Sequence, residues 1–259
     1  MKIHFYKYHG AGNDFVMIDD REENFPAEVG VISKLCDRHF GIGADGLILL
    51  QKDEHADFKM VYYNADGKLG SMCGNGGRCT VRFAGSLGMI ENKTLFNAAD
   101  GLHHAEILGE FIRLEMRDVI KVENYEDHLF LDTGSPHHIE FVKNFNGLDV
   151  KTEGAKIRYG SPYFEKGSNV NFVQVLNADT LKIRTYERGV EDETLACGTG
   201  VTAAAIAAFE SGEIAVDEIN VKAVGGDLKV CFTKNENGIY QNIWLSGPAE
   251  FVYQGEIIV

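Results

Sequence analysis

The stretch FKMVYYNADGKLGSMCGNGGRCTVRFAGSLGMI, residues 58–90, decides the fold, because a later stretch of the chain repeats its order. Residues 181–214 read LKIRTYERGVEDETLACGTGVTAAAIAAFESGEI. Both segments run from a strand-like stretch through a turn to Cys-Gly-x-Gly, and then through a helix-like stretch to a glycine. Asn64 and Arg188 each lie nine residues before the cysteine of their segment, and a glycine lies fifteen residues after each cysteine. A repeat of this length indicates two similarly folded halves.

Outside the repeat, short strand-like stretches dominate the chain. They are rich in β-branched and aromatic residues and are separated by Gly, Asn and Asp turns. Helical patterns are restricted to residues 28–39, the segment after Gly76 and the alanine-rich segment after Gly200. The predicted strands are residues 3–8, 15–19, 47–51, 58–63, 111–116, 172–176, 181–186, 227–232 and 242–245. The pattern predicts a sheet-rich α+β protein in which a few helices are enclosed by strands.

The two halves are expected to meet where the apolar alternation of FIRLEM gives way to the polar stretch ENYED. We therefore predict a first domain over residues 1–117 and a second domain over residues 118–247. Residues 248–259 are strand-like again, and we expect this segment to return and pair with the first domain. A chain of 259 residues is long enough for two domains of about 130 residues each.

The charge balance bears on the kind of partner. Lys and Arg number 25 against 39 Asp and Glu, which gives a formal net charge of −14. Nucleic acids and anionic membranes both attract clustered basic residues, so neither is expected as a partner. The amino terminus lacks the continuous apolar stretch of a secretory signal, and no apolar run is long enough to span a bilayer. We therefore expect a cytoplasmic protein that acts on a small molecule.

The five cysteines are an odd number in a long chain, which is not typical of a disulfide framework. Cys36, Cys79 and Cys231 are interpreted as core residues. Cys73 and Cys197 differ from them, because each stands where a loop enters a predicted helix. The positive end of the helix dipole and the unpaired N–H groups there favour a thiolate. The glycines that follow leave bare N–H groups that can hold a carboxylate.

Two equivalent thiols suit one class of reaction, the inversion of a stereocentre by proton exchange. One base removes the α-proton from one face, while a conjugate acid delivers a proton to the other face. Backbone donors at the substrate carboxylate would stabilise the enolate-like charge, so no cofactor is needed as an electron sink. Either cysteine alone is more simply interpreted as a small buried residue at a tight turn. The duplication of the motif favours the catalytic interpretation.

Six motifs lie in order along nearly the whole chain. They are HGAGNDF (9–15), GIGADG (41–46), NADG (64–67), MCGNGGRC (72–79), YERG (186–189) and ACGTG (196–200). As a set they resemble the diaminopimelate epimerase family. The resemblance implies two pseudo-symmetric α+β domains, each with strands wrapped around a central helix, and an active site in the cleft between them. It also implies a homodimer and a cofactor-independent interconversion of LL- and meso-diaminopimelate for lysine and peptidoglycan synthesis.

The resemblance further implies roles for individual residues. It makes Cys73 and Cys197 the acid/base pair. The residues that it implies as substrate contacts are Asn13, Asn64, Gly74, Asn75, Asn169, Glu187, Arg188, Gly198 and Thr199. Physical reasoning agrees for two of them, because Arg188 offers a planar fork to a distal carboxylate and Glu187 a partner to an ammonium group. Neighbours on a strand point to opposite faces, so the backbone is expected to turn at Gly189.

Two positions depart from the pattern of the family. Ser135 stands in GSPHH where many members have asparagine, and Gly46 closes GIGADG where some have glutamine. Neither touches the thiol pair, but both would alter the site for the distal end of the substrate. His137, retained from the first of these motifs, is a candidate auxiliary group near a thiol, and equally a histidine satisfied within a turn.

Other signals favour no site. Gly41, Gly43 and Gly46 spell GxGxxG, but here the pattern follows a helix and opens a strand, the reverse of a dinucleotide fingerprint. Neither a metal nor a cofactor is expected. Two alternatives remain open for the function. One is a racemase of proline or hydroxyproline type, whose first motif usually has histidine at the position of Asn75; the other is a non-catalytic amino-acid-binding protein that retains the carboxylate clamp.

Overall fold

The computed structural model describes residues 1–259, which divide into two compact units. The first unit contains Met1–Leu114 and Gly247–Val259, and the second contains Glu115–Ser246. In chain order the elements are β1 (Lys2–Gly10), β2 (Asn13–Asp19), α1 (Val29–Cys36), β3 (Gly46–Gln51), β4 (Phe58–Asn64), α2 (Gly74–Ser86), β5 (Lys93–Ala98), β6 (Gly101–Leu108), β7 (Phe111–Glu115), β8 (Val122–Asn124), β9 (Leu129–Asp132), β10 (Pro136–Phe141), α3 (Val150–Tyr159), β11 (Asn169–Asn177), β12 (Thr180–Glu187), β13 (Asp192–Thr194), α4 (Gly198–Glu210), β14 (Glu218–Ala223), β15 (Gly226–Lys234), β16 (Tyr240–Pro248) and β17 (Glu250–Ile258). Strands far outnumber helices, which confirms the predicted α+β class.

In the first unit, strands surround the helix α2. The carboxy-terminal strand β17 pairs antiparallel with β1, which pairs antiparallel with β2. The sheet continues from β2 to β3 in parallel, to β4 antiparallel and to β5 in parallel. Helix α2 is buried from Asn75 to Val81. A side chain at Gly76 would come within 3.0 Å of Ile48 and 3.1 Å of Met60, so glycine there lets the strands close on the helix.

The second unit encloses α4 in the same way. Strand β10 pairs antiparallel with β9 and in parallel with β11, which pairs antiparallel with β12. Strand β12 pairs in parallel with β14, and β14, β15 and β16 follow as an antiparallel run. Helix α4 is buried on all sides from Gly200 to Ala208, and most of these residues are alanines. Small side chains on every face allow strands to pack around the whole helix, as the sequence predicts.

The predicted strands and the two helices of the repeat are confirmed, whereas the end of α1 and the whole of α3 differ from the prediction. Helices α2 and α4 form as expected, although each begins three residues earlier, directly after its cysteine. Helix α1 ends at Cys36 because the carboxylate of Asp37 accepts the backbone N–H groups of His39 and Phe40 instead. The prediction misses α3, which has a glycine at its centre. A side chain at Gly154 would come within 2.4 Å of Tyr186, so tertiary packing outweighs helix propensity there.

Of the three cysteines predicted to lie in the core, two do so. Cys36 and Cys79 are buried, as predicted. Cys231 is only half-buried, so its assignment to the core is wrong. It lies in β15 between Val230 and Phe232, whose side chains are buried, and the alternation of the strand turns Cys231 to the other face. No helix of the structure combines the length and the apolar character needed to span a membrane.

Candidate active site

Cys73 occupies the position directly before the first turn of α2. Its backbone is extended, with φ −116° and ψ 120°, and its carbonyl accepts the N–H of Gly77 at 2.8 Å. The side chain is half-buried, whereas Asn75 behind it is buried. Because the N–H groups of the first turn have no partners within the helix, Gly74 and Asn75 offer donors at this point. The geometry is that of an anion site with a thiol at its edge.

Asn13 connects three of the predicted site residues. Its Oδ1 accepts from the thiol of Cys73 at 3.7 Å and from Nδ2 of Asn75 at 3.3 Å. Its own Nδ2 donates to Oδ2 of Asp45 at 2.6 Å. Since an ionised carboxylate only accepts, Asp45 fixes which way the Asn13 amide points. The amide oxygen of Asn13 is therefore held toward Cys73.

Asp45 belongs to an ion-pair network that sequence reasoning did not identify. Arg38 donates to both oxygens of Asp14, at 3.0 and 2.8 Å, and to Asp45 at 2.7 Å. The buried ammonium of Lys7 lies 2.7 Å from Asp14 and also donates to the carbonyl of Gly43. Burial alone would raise the pKa of Asp14, but the hydrogen bonds from Arg38 and Lys7 hold it well below its ordinary value. The network ties the motifs HGAGNDF and GIGADG together behind Asn13.

Gly46, which stands where some members of the family have glutamine, lies against the ring of Tyr62. Gly46 pairs with Asn64, another predicted site residue, across β3 and β4, and Asn64 is exposed at the end of its strand. A side chain at Gly46 would come within 2.4 Å of the ring of Tyr62 and 2.5 Å of the carbonyl of Tyr63. Gly70 faces the same ring, and a side chain there would come within 2.5 Å of it. Tyr62 therefore fills the space that a glutamine at position 46 would need.

Cys197 repeats the geometry of Cys73 in the second unit. Its backbone is extended, with φ −113° and ψ 110°, directly before the first turn of α4, and its carbonyl accepts the N–H of Val201 at 2.9 Å. Its Sγ lies 3.4 Å from Oγ1 of Thr199. The carbonyl of Thr199 accepts from the buried hydroxyl of Thr133 at 2.9 Å, which anchors the first turn of the helix. Gly198 and Thr199 thus occupy the positions of Gly74 and Asn75.

Asn169 brings Ser135 and Arg188 together. Its Nδ2 donates to the hydroxyl of Ser135 at 2.9 Å and to the carbonyl of Pro136 at 3.2 Å. Its Oδ1 accepts the backbone N–H of Arg188 at 2.8 Å. The guanidinium of Arg188 is exposed, and it donates to the carbonyl of Lys166 at 2.9 Å. The buried amide thus holds the backbone of Arg188 while the charged fork projects outward.

Glu187 and Arg188 lie on a turn that Glu191 holds. Gly189 has φ +96°, as the predicted turn requires, and Glu191 itself has φ +59°. The carboxylate of Glu191 accepts the N–H of Gly189 at 3.0 Å and lies 3.2 Å from the guanidinium of Arg158. A positive φ at a residue other than glycine costs roughly 1 to 3 kcal/mol, so these contacts stabilise a strained backbone. Sequence reasoning missed Glu191, whose charged partner Arg158 is 33 residues away in the chain.

His137 is completely buried between two asparagines. Asn171 donates from Nδ2 to Nδ1 of the imidazole at 3.0 Å, and the hydroxyl of Thr185 fixes that amide by donating to its Oδ1 at 2.9 Å. This network places the imidazole proton on Nε2. Burial and then the positive charge of Arg188 lower the pKa of His137 to about 3. His137 is therefore a neutral N–H donor near pH 7, and Asn171 is a site residue that sequence reasoning missed.

The chain holds no group of three or more His, Cys, Asp or Glu side chains arranged for a metal ion. Apart from Asn64, which lies exposed at the end of β4, each predicted contact residue lies near a thiol, next to a helix N-terminus or at the turn of Arg188. Within the first unit the structure brings Asn13, Cys73 and Asn75 together, and within the second it brings Ser135, Asn169 and Arg188 together.

Comparison with known proteins gives a consistent result. The family model described as diaminopimelate epimerase matches residues 5–122 and 129–252. A protein of Flavobacterium psychrophilum with that name is 56% identical over 254 residues, which cover 97% of this chain and 99% of that protein. A protein of Chlorobaculum tepidum with the same name is 47% identical, over 96% of this chain and 98% of that protein.

Solved structures share the fold at low sequence identity. A PhzF-family phenazine biosynthesis protein of Bacillus anthracis aligns over 100% of both chains with a TM-score of 0.79 and 15% identity. A hydroxyproline epimerase of Agrobacterium vitis aligns over 99% of this chain and 92% of that chain, with a TM-score of 0.67 and 14% identity. These two show the fold alone. From the family model and the two relatives it follows that the chain belongs to the diaminopimelate epimerase family, a family of isomerases.

Proposed function

We propose that this chain inverts the α-carbon of LL-2,6-diaminopimelate to give meso-diaminopimelate without a cofactor, as a cytoplasmic enzyme of lysine and peptidoglycan precursor synthesis. The observation that carries the proposal is the matched setting of Cys73 and Cys197. Each thiol precedes a buried helix whose first turn contains glycines, and the two backbones agree within about 10° in φ and ψ. Membership of the family supplies the substrate.

In this mechanism one sulfur is a thiolate and the other is a thiol. The thiolate removes the α-proton from one face of the carbon, and the thiol delivers its proton to the opposite face. Both must therefore reach the same carbon. The helix N-terminus at each cysteine favours the anionic sulfur. Both thiols end each turnover with exchanged protonation states.

The backbone groups beside the cysteines have a second role in the proposal. The N–H groups of Gly74, Asn75, Gly198 and Thr199 hold the α-carboxylate at the positive ends of the two helices. They stabilise the negative charge that moves onto this carboxylate as the proton leaves. The donors are backbone groups fixed by the helices, so they need no reorganisation during the reaction.

The remaining candidates are proposed to select the substrate. Arg188 binds the distal carboxylate with its exposed guanidinium, helped by Asn64 and Asn169, while Glu187 binds an ammonium group. Asn13 orders the thiol of Cys73, Ser135 supports Asn169, and the neutral His137 packs beside Gly200 next to Cys197. Because Ser135 is shorter than the asparagine of many relatives, its hydroxyl serves here by holding the Asn169 amide.

A direct assay tests the proposal. The purified chain, without added metal or cofactor, should convert LL-diaminopimelate to the meso form and back, and it should leave L-proline and trans-4-hydroxy-L-proline unchanged. Racemisation of either proline would favour the racemase alternative. Binding of diaminopimelate without turnover would favour the non-catalytic alternative.

We also propose that the protein is a homodimer joined through β17. Phe251, Val252, Tyr253 and Ile258 are apolar residues of this one strand and are 43–79% exposed. A strand with unpaired groups and exposed apolar side chains is a template for pairing with another chain. Val252→Glu should shift the mass measured by analytical ultracentrifugation toward the monomer, whereas Val224→Glu, at an equally exposed valine in a turn, should not. A monomeric wild-type chain would contradict the proposal.

A further inference from the structure

Arg78 is a charged side chain in the middle of the first unit. It lies five residues after Cys73 on α2 and has 0% exposure. Its Nη2 donates to Oδ1 of Asn75 at 2.8 Å, its Nη1 to the carbonyl of Gly74 at 3.3 Å and its Nε to the carbonyl of Pro248 at 3.5 Å. All of these partners are neutral oxygens. The guanidinium therefore satisfies its donors without a carboxylate.

Burying a cation without a counter-charge costs free energy, which a nearby group that becomes negative can offset. Burial lowers the pKa of Arg78, and the ionisable groups that oppose this effect are the thiols of Cys79 and Cys73. Burial raises the pKa of Cys79 far above its usual range, so that thiol stays protonated. Arginine itself remains charged under ordinary conditions. Cys73 is then the group of this unit whose ionisation would offset the charge of Arg78.

The second half of the repeat lacks this charge. The residue five positions after Cys197 is Thr202, which is also completely buried. Its hydroxyl donates to the carbonyl of Gly198 at 3.0 Å, just as Nη1 of Arg78 donates to the carbonyl of Gly74. The two side chains thus occupy equivalent positions of the repeat, and each binds the equivalent carbonyl of its own helix. One helix carries a full positive charge there and the other carries a neutral hydroxyl.

We propose that Arg78 breaks the symmetry of the two-cysteine site, so that in the free enzyme Cys73 is the thiolate and Cys197 is the thiol. The proposal rests on the proposed function in taking these two sulfurs as one acid/base pair that shares a single proton. Arg78 touches neither reacting atom and is a positioning residue. Through Asn75 it also fixes the Asn13 amide, because its donors hold Oδ1 of Asn75 and leave Nδ2 for Asn13.

The charge of Arg188 acts on His137 near Cys197 and would favour a thiolate there. Arg188 is exposed, however, and its charge is screened by water, whereas Arg78 is completely buried. Two hydrogen bonds also act against this assignment. Oδ1 of Asn13 accepts from the thiol of Cys73, which favours its protonated form, and the hydroxyl of Thr199 can donate to a thiolate at Cys197. Both involve sulfur, a weak partner in hydrogen bonds. A full charge in a buried site has the larger effect on ionisation. The direction of the bias is therefore set by Arg78.

The test is the rate of iodoacetamide alkylation as a function of pH, followed at each cysteine by mass spectrometry. Cys197→Ser isolates Cys73 of the pair, and Cys73→Ser isolates Cys197. Cys73 should ionise at the lower pH. In Arg78→Gln, alkylation of Cys73 at about pH 6 should slow by about tenfold or more, whereas alkylation of Cys197 should be unchanged. Arg78→Lys should restore most of the rate, because it keeps the charge.

Matched variants separate an electrostatic role from a structural one. Arg82→Gln removes a partly exposed charge one turn further along α2, where the side chain donates to the carbonyl of Gly109, and should leave both cysteines unchanged. If Arg78→Gln loses its circular dichroism signal, Arg78→Met, an apolar side chain of similar length, replaces it. Ionisation of Cys197 below Cys73 in the parent variants, or equal slowing of both thiols, would overturn the proposal. Alkylation needs no turnover, so this outcome is distinct from a failure of the epimerase activity.

Discussion

Helices α2 and α4 begin alike and continue differently. Both follow a cysteine in extended backbone, and both are buried at the centre of their unit. Helix α4 is lined with alanine, whereas α2 buries Asn75, Arg78 and Thr80. The shared part is the backbone that presents a thiol and bare N–H groups, and the different part is the set of polar groups behind it. The duplicated backbone therefore supplies two acid/base groups, while the packed side chains decide how they differ.

Removing either thiol should have the largest effect. Cys73→Ala and Cys197→Ala should each lower epimerisation in both directions by at least about a hundredfold, because inversion needs a base on one face and an acid on the other. The rate of conversion between LL- and meso-diaminopimelate measures this. Cys231→Ala, at a half-buried thiol of β15, is the control and should retain normal activity. Substantial turnover in one of the two variants, with its fold intact, would contradict the two-base mechanism and indicate that a single base is sufficient.

The glycines three residues after each cysteine provide a second comparison of α2 with α4. A side chain at Gly200 would come within 2.5 Å of Oδ1 of Asn171, the buried amide that orients His137. At Gly76 it would meet the ends of flexible side chains, at 3.0 Å or more. Gly200→Ala should therefore lower the free energy of unfolding by about 1 to 3 kcal/mol, and Gly76→Ala by less. Urea titration of both variants gives the difference, and an equal loss would mean that the Asn171 network is not rigid.

The neutral state of His137 in the second unit predicts that the stability of the protein depends on pH. Because the folded protein lowers its pKa to about 3, the unfolded chain binds a proton first as the pH falls below about 6.5. Its stabilising contribution is present above that pH and is lost as the pH falls toward 3. Between pH 7 and pH 5 this amounts to about 2 kcal/mol of unfolding free energy. The loss measured by denaturant titration should be smaller by that amount in His137→Gln, and an unchanged slope would contradict the buried neutral histidine.

Arg188→Lys should have a smaller and more selective effect. The ammonium group cannot bind the distal carboxylate in a bidentate manner, so the Michaelis constant for diaminopimelate should rise roughly tenfold. The alkylation rates of Cys73 and Cys197 should change little, because the reacting end of the substrate is bound elsewhere. Arg21→Lys, at an exposed ion pair with Asp19, serves as the control. An unchanged Michaelis constant would make Arg188 structural and would point to a smaller substrate.

The fold and the site could be predicted from the sequence where the pattern of residues is local or repeated. The alternation of residues and the glycine after each cysteine place the strands of the repeat and the helices α2 and α4. The groups that order the site are different, because their roles arise from contacts distant in the chain. Asp45 acts on Asn13 from 32 residues away, and Asn171 acts on His137 from 34 residues away. The role of Arg78 cannot be predicted for another reason. An arginine on a helix is usually exposed to solvent, and the sequence does not show that this one is buried.

The central claim is that two thiols act on opposite faces of one carbon, and isotope incorporation tests it most directly. LL-diaminopimelate is incubated with the enzyme in deuterated water, and both isomers are analysed by mass spectrometry while little substrate has reacted. The acid thiol carries a solvent deuteron and the base keeps the abstracted proton, so the meso product should hold one deuterium at the inverted carbon while the remaining LL isomer holds none. Deuterium in the recovered LL isomer at a similar rate, or a meso product that retains the original proton, would show that a single base serves both faces.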